Sequence, residues 1–101
     1  MLKRHTAPSA DEAAALALSG LAFLAGEEAR LGRFLALTGI GPDQLRAAAD
    51  APETLVAVLD YLLADESLLL VFASSCSISP EAVAPARIVL ARTLGAEAAD
   101  G

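Results

Sequence analysis

Aromatic side chains are nearly missing from this 101-residue sequence: there is no tryptophan, one tyrosine and three phenylalanines. A core must therefore be built from aliphatic and small residues. Cysteine is equally scarce. Cys76 stands alone, so no internal disulfide can form, and a reducing compartment, the cytoplasm, is the expected setting. His5 is the single histidine. Without a second His or Cys nearby, no metal site of the usual ligand spacing can be assembled, and no metal or cofactor is expected. Long uncharged apolar runs are also lacking. The most apolar stretch, Leu55 to Ala73, is broken by Asp60, Asp65, Glu66 and Ser67, whereas a span needs about 20 largely uncharged residues. No membrane association is expected. Met1 to Ser9 holds two basic residues but no apolar segment close behind, so it does not read as a secretion signal.

Positive charge is the remaining scarcity. The formal net charge is -6, and Lys3 and Arg4 lie in the first ten residues; from residue 11 onward five arginines face thirteen acids. So acidic a region repels phosphate backbones and anionic lipid, because affinity for either rests on Lys and Arg. No nucleic-acid partner is expected.

What is present is helix-forming. Alanine occurs 24 times and leucine 18 times, and neither loses much rotamer freedom in a helix. No stretch alternates apolar and polar residues for long. The class is all-α: a compact bundle of five to six short helices, with one domain over residues 9–94, a flexible tail at 1–8 and another at 95–101.

Helix signals are legible along the chain. Ser9 with Glu12 fits a capping box and opens a helix to about Ala25, where Gly26 suits a left-handed stop. Glu27 and Glu28 open a second helix whose buried stripe is Leu31, Phe34, Leu35 and Thr38, ended by Gly39. Pro42 starts a short third helix ending near Ala49. Asp50 with Glu53 repeats the capping-box spacing before a fourth, carrying Leu55, Val58, Leu59 and Leu62. Asp65 caps a fifth, about Glu66 to Ser75. Ser79, Pro80 and Glu81 start a sixth, in which Pro85 is expected to force a kink or break.

A shift of 38 residues carries Leu21, Leu24, Glu28, Leu31, Phe34, Ile40 and Pro42 onto Leu59, Leu62, Glu66, Leu69, Phe72, Ile78 and Pro80. Phe23 falls on Tyr61, and Glu27 on Asp65. This reads as two tandem helix-helix-turn-helix units that bury their faces on each other.

Three features invite a chemical reading. Gly39-Ile40-Gly41 is similar to the hairpin of helix-hairpin-helix DNA-binding domains, but Asp43 follows where those domains favour a base, and the second copy, Ser77-Ile78-Ser79, lacks both glycines. Helix punctuation explains the same residues. Cys76 sits near a helix C-terminus, where the dipole disfavours a thiolate, and no histidine in the ordered region can activate it. Asp60 interrupts an apolar run; it is either a solvated edge or an ion-pair partner of Arg30 or Arg33. No carboxylate pair has an acid/base partner, so an enzyme is not expected.

The segments Arg30 to Gly39 and Val58 to Leu69 resemble a family of short alphaproteobacterial proteins classified only as a domain of unknown function. The resemblance covers about residues 10 to 92. It implies a bacterial cytoplasmic protein with an all-helical fold, and it transfers no catalytic residue, cofactor or substrate.

The function expected from the residues is that of a small non-enzymatic interaction or adaptor module, acting on a protein partner or as a homodimer; no small-molecule ligand is expected. The alternative is a helix-hairpin-helix-like nucleic-acid-binding protein. The candidate protein-binding residues are Arg30, Arg33, Leu37, Leu68 and Val71. Arg30 and Arg33 flank Leu37 on the solvated side of the second helix, and the 38-residue shift turns them into Leu68 and Val71. The fifth helix is thereby apolar nearly all round and must be covered twice. Its second cover is either the C-terminal helix, through Ile88, Leu90 and Leu94, or a partner; the C-terminal helix is the favoured one.

Overall fold

Ser9 adopts an extended backbone, its hydroxyl accepts from the Glu12 amide, and the Glu12 carboxylate accepts from the Ser9 amide. This reciprocal cap opens the first helix of the computed structural model, which describes residues 7–100, with side chains from 7 to 95. Lys3, Arg4 and His5, and most of the 1–8 segment, lie outside the described residues.

Six helices follow: α1 Ala10–Ala25, α2 Glu28–Thr38, α3 Pro42–Ala47, α4 Pro52–Leu63, α5 Glu66–Ser75 and α6 Val83–Asp100, with a 3-10 turn at Pro80–Ala82 before the last. No strand occurs among the described residues. The chain is an all-α bundle.

The core is a three-helix seam. Ala13, Ala17, Leu21 and Leu24 line one face of α1; Leu55, Val58, Leu59 and Leu62 line α4; Val83, Ala86 and Leu90 line α6. Each set recurs every three or four residues, the period at which helical side chains share a face. α1, α4 and α6 pack pairwise on one another, while α2 leans on α1 and α5 on α4. Phe34 from α2 and Phe72 from α5, both fully buried, plug the two sides of the seam. Gly20 permits the close approach of α1 and α4: a Cβ there would lie 3.0 Å from Leu62 and 3.0 Å from Val58.

Helix ends follow local chemistry, with corrections to the sequence reading. Gly39 closes α2 with φ 80°, in the left-handed region. Ser77 takes φ 55° after α5, and the Ile78 amide reaches back to the Ala73 carbonyl, closing a Schellman turn on a residue that is not glycine. Gly26, by contrast, is right-handed at φ -69°, so it lends no left-handed stop to α1. Asp50 is not the cap of α4: Ala51 holds that place, with Pro52 at the first helical position and no side-chain cap. The Asp65 carboxylate does cap α5, accepting from the Leu68 amide at 3.1 Å. Pro85 neither kinks nor breaks a helix. The chain winds as a 3-10 turn over Pro80–Ala82 and becomes α-helical at Val83, which puts Pro85 in the first turn, where an amide would have no partner in the helix. α6 extends to Asp100, beyond the expected end near Leu94.

The larger correction concerns the cover of α5. α6 lies in the seam between α1 and α4, not over α5. Leu70 and Val71 are left 49% and 45% exposed, and Ile88, expected to cover them, is itself 48% exposed.

No single helix among the described residues is long and apolar enough to cross a membrane. α5 and the segment Pro80–Gly95 reach the required composition together, but they bend by 109° at their junction, and Phe72, Val83, Ala86 and Leu90 are consumed by the core.

Candidate protein-binding surface

Arg30, Arg33 and Leu68, chosen from the sequence as interaction residues, line one groove of about 170 Å³, together with Ala29, Tyr61 and Asp65. The groove runs between α2 and the α4–α5 corner. Its position follows from packing: Phe34 drives α2 against the seam and meets the Tyr61 ring edge-on, with centroids 5.2 Å apart and planes at 82°. Phe23 and Phe72 make a second aromatic contact, tilted at 55° with centroids 5.5 Å apart. Phe23 and Tyr61 lie 38 residues apart, as do Phe34 and Phe72, so each aromatic pair joins one half of the chain to the other.

The two arginines differ in circumstance. The Arg30 guanidinium sits over the Phe23 ring, 4.2 Å from its centroid, with Glu27 at 3.8 Å. It is thus folded back on α1 rather than solvated as the sequence implied. Arg33 is exposed and makes no ion pair among the described residues. Leu37 is 68% exposed at the end of α2 and does not line the groove. Val71 lies on the open face of α5 beside Leu70, and the structure does not bring it into the groove either.

Tyr61 and Asp65 were missed as groove residues. Asp65 was fully accounted for as a cap, and the alignment of Tyr61 with Phe23 signalled only an aromatic position. Asp60 lies on an exposed edge of α4, as one of its two readings had it, but its ion-pair partner is neither of the arginines expected. Its carboxylate accepts from Arg87 of α6, Nε at 2.7 Å and Nη2 at 3.4 Å, and from neither Arg30 nor Arg33. The hydrogen bonds from the Arg87 guanidinium, with the attraction of the carboxylate, raise the pKa of Arg87 above the usual range. The pair ties α4 to α6.

The chain belongs to a family of proteins of unknown function. That family, described as protein of unknown function DUF3572, matches residues 10–93. Comparison with curated proteins and with solved structures finds no match. The matched region takes in all of α1 to α5 and most of α6, so the groove, the Asp60–Arg87 tie and the open face of α5 all fall within it.

A second, larger concavity of about 730 Å³ lies between the start of α1 and the 3-10 turn and first turn of α6, and shares no lining residue with the first. Nothing in the sequence reading singled it out.

Proposed function

We propose that this family member is a non-enzymatic protein-interaction module, and that the surface built by α2 and α5 is where it meets a helix of another protein or of a second copy. The observation that carries the reading is the open face of α5. Leu70 and Val71 stay exposed because α6 is held in the seam, and they stand on the same helix as Leu68, at the edge of a groove bearing Arg30, Arg33 and Tyr61. Arginine and tyrosine are the side chains that most often anchor protein interfaces, being large and both apolar and hydrogen-bonding. Cytoplasmic residence belongs to the same reading, supported by a single unpaired cysteine.

Two observations favour this over catalysis. Cys76 is half-buried at the carboxyl end of α5, and the Asp60 carboxylate is engaged by Arg87. The hairpin reading is weakened by the same accounting. The Gly39 amide donates to Leu35, the Ile40 amide to the Thr38 hydroxyl and the Gly41 amide to Gln44, so the turn that would face a phosphate spends its donors within the chain.

Replacing Leu70 and Val71 by arginine tests the proposal. Both are half exposed, so the variant is expected to melt like the parent within about 0.5 kcal/mol and to lose self-association in light scattering, or a cross-linked partner. Unchanged association would contradict the assignment of this face. Salt-sensitive retention of a short DNA duplex at physiological salt would instead promote the hairpin reading.

A further inference from the structure

The 730 Å³ groove lies away from the α2–α5 surface and is built differently. Its floor is apolar and shallow: Leu16 of α1 faces Ala82, Pro85 and Ala86, with Pro8 at the edge. Small residues at 82 and 86 leave the volume unfilled. Pro85, in the first turn of α6, presents a ring without an amide, so the wall needs no polar partner there. Residues 7–9 run along the rim outside any helix.

Two carboxylates stand over this floor, Glu12 and Glu81. Each is held in place through one oxygen. Glu12 Oε1 accepts from the Ser9 amide at 2.8 Å, and Glu81 Oε1 accepts from the Ser79 hydroxyl at 2.5 Å. Glu81 also accepts from its own amide, and neither carboxylate makes an ion pair among the described residues. Pinned acceptors cost less ordering on binding than free side chains do.

From this geometry we propose that the groove is a docking site for a short apolar peptide segment of a partner protein, one that carries an arginine or lysine. The apolar floor takes the aliphatic side chains, and Glu12 and Glu81 take the cation. Charge complementarity sets the occupant: an anion, a phosphate or an acidic segment would meet two carboxylates and, among the described residues that line the groove, no base. The volume falls within the range of concave ligand sites, about 300–1,000 Å³. The proposal is independent of the α2–α5 surface, and either can fail without the other.

The test is a titration of the full-length, isotope-labelled chain with a capped tetrapeptide of sequence leucine-arginine-leucine-alanine, followed by amide NMR. A second peptide carries glutamate in place of arginine. Saturable shifts are expected at Ala7, Leu16, Ala82 and Ala86, with the glutamate peptide about tenfold weaker or silent. The double variant Glu12→Gln, Glu81→Gln keeps an acceptor at both the cap and the turn, because glutamine serves in a capping box as glutamate does. It is expected to fold normally and to lose the preference for arginine. Absence of shifts at these residues, or equal response to both peptides, overturns the proposal. So does a groove that responds to Lys3→Glu and Arg4→Glu in the chain itself with no added peptide, since the chain's own basic residues would then be its occupant.

Discussion

Single backbone angles decide how much of this fold a substitution disturbs. Gly39 and Ser77 both adopt left-handed conformations, which cost a residue bearing a Cβ about 1 kcal/mol or more. Gly39→Ala is expected to destabilise by roughly 1 kcal/mol and Ser77→Gly to stabilise by a similar amount. Gly32 is the opposite case. It lies in the middle of α2, with nothing within 4 Å of where a Cβ would stand, so Gly32→Ala should stabilise by about 0.5–1 kcal/mol through helix propensity alone. Gly20→Leu should cost about 3 kcal/mol, since the added side chain meets Val58 and Leu62. Denaturant melts of the four variants check these signs together. Glu81 makes a further residue-scale prediction. The Ser79 hydroxyl, and then the glutamate's own amide, hold its carboxyl below the ordinary glutamate value of 4.5. A lowered folded pKa favours the ionised form in the native state, so the contribution to stability is present above pH 4.5 and is lost as pH falls through the lower, folded value. Carboxyl NMR should find Glu81 titrating below 4.5, and Ser79→Ala should move it back up.

At the scale of helices, the sequence revealed what local chemistry specifies and hid what packing decides. The Ser9–Glu12 box, the Asp65 cap, the Gly39 stop and the Pro42 start are each written in two or three neighbouring residues, and each is found in place. So is the buried stripe of α4, whose periodicity is set by the helix itself, whereas of the stripe expected on α2 only Phe34 is fully buried. Which helix fills the seam was not legible. Ile88, Leu90 and Leu94 offered α6 an apolar edge, and only the assembled contacts show that Leu90 enters the core while Ile88 is left half exposed. The Asp60 partner was hidden for the same reason: choosing Arg87 over Arg30 or Arg33 requires knowing that α6, rather than α2, passes that edge of α4. Of the proposed binding residues, Arg30, Arg33 and Leu68 converge because α2 and α5 begin near the same corner, but Leu37 and Val71 stand apart. The α1–α6 groove has no sequence signature, since it arises from small residues failing to fill a junction. Two element-scale outcomes follow. Leu90→Ala should destabilise by about 3 kcal/mol, a core value, whereas Ile88→Ala should stay within about 0.5 kcal/mol, a surface value. Asp60→Asn should lower the melting temperature slightly, and the difference should shrink in 1 M salt, because both partners of the pair are partly exposed.

For the whole molecule, one arrangement accounts for both the fold and the proposed role. Helix starts recur at a 38-residue interval, Glu28 with Glu66 and Pro42 with Pro80, and α1 and α4 end at the same interval. Gly20 of α1 meets Val58, the residue 38 positions on. These coincidences support a two-copy reading of the chain, which we propose as the origin of the bundle. Its departure from symmetry is then the informative part. After Pro42 the chain makes only the short α3, while after Pro80 it makes α6, which takes the seam between the two halves and leaves the outer face of α5 bare. This bare face, with the neighbouring arginine groove, is the proposed binding surface. Photo-crosslinking in the native cell tests it most directly, with a photoreactive residue placed in turn at Arg33, Val71 and, as a control, Gln44 of α3. One discrete adduct is expected, shared by positions 33 and 71 and absent at 44, its mass either twice that of the chain or that of a single partner. Adducts equal at all three positions, or at none, would contradict it.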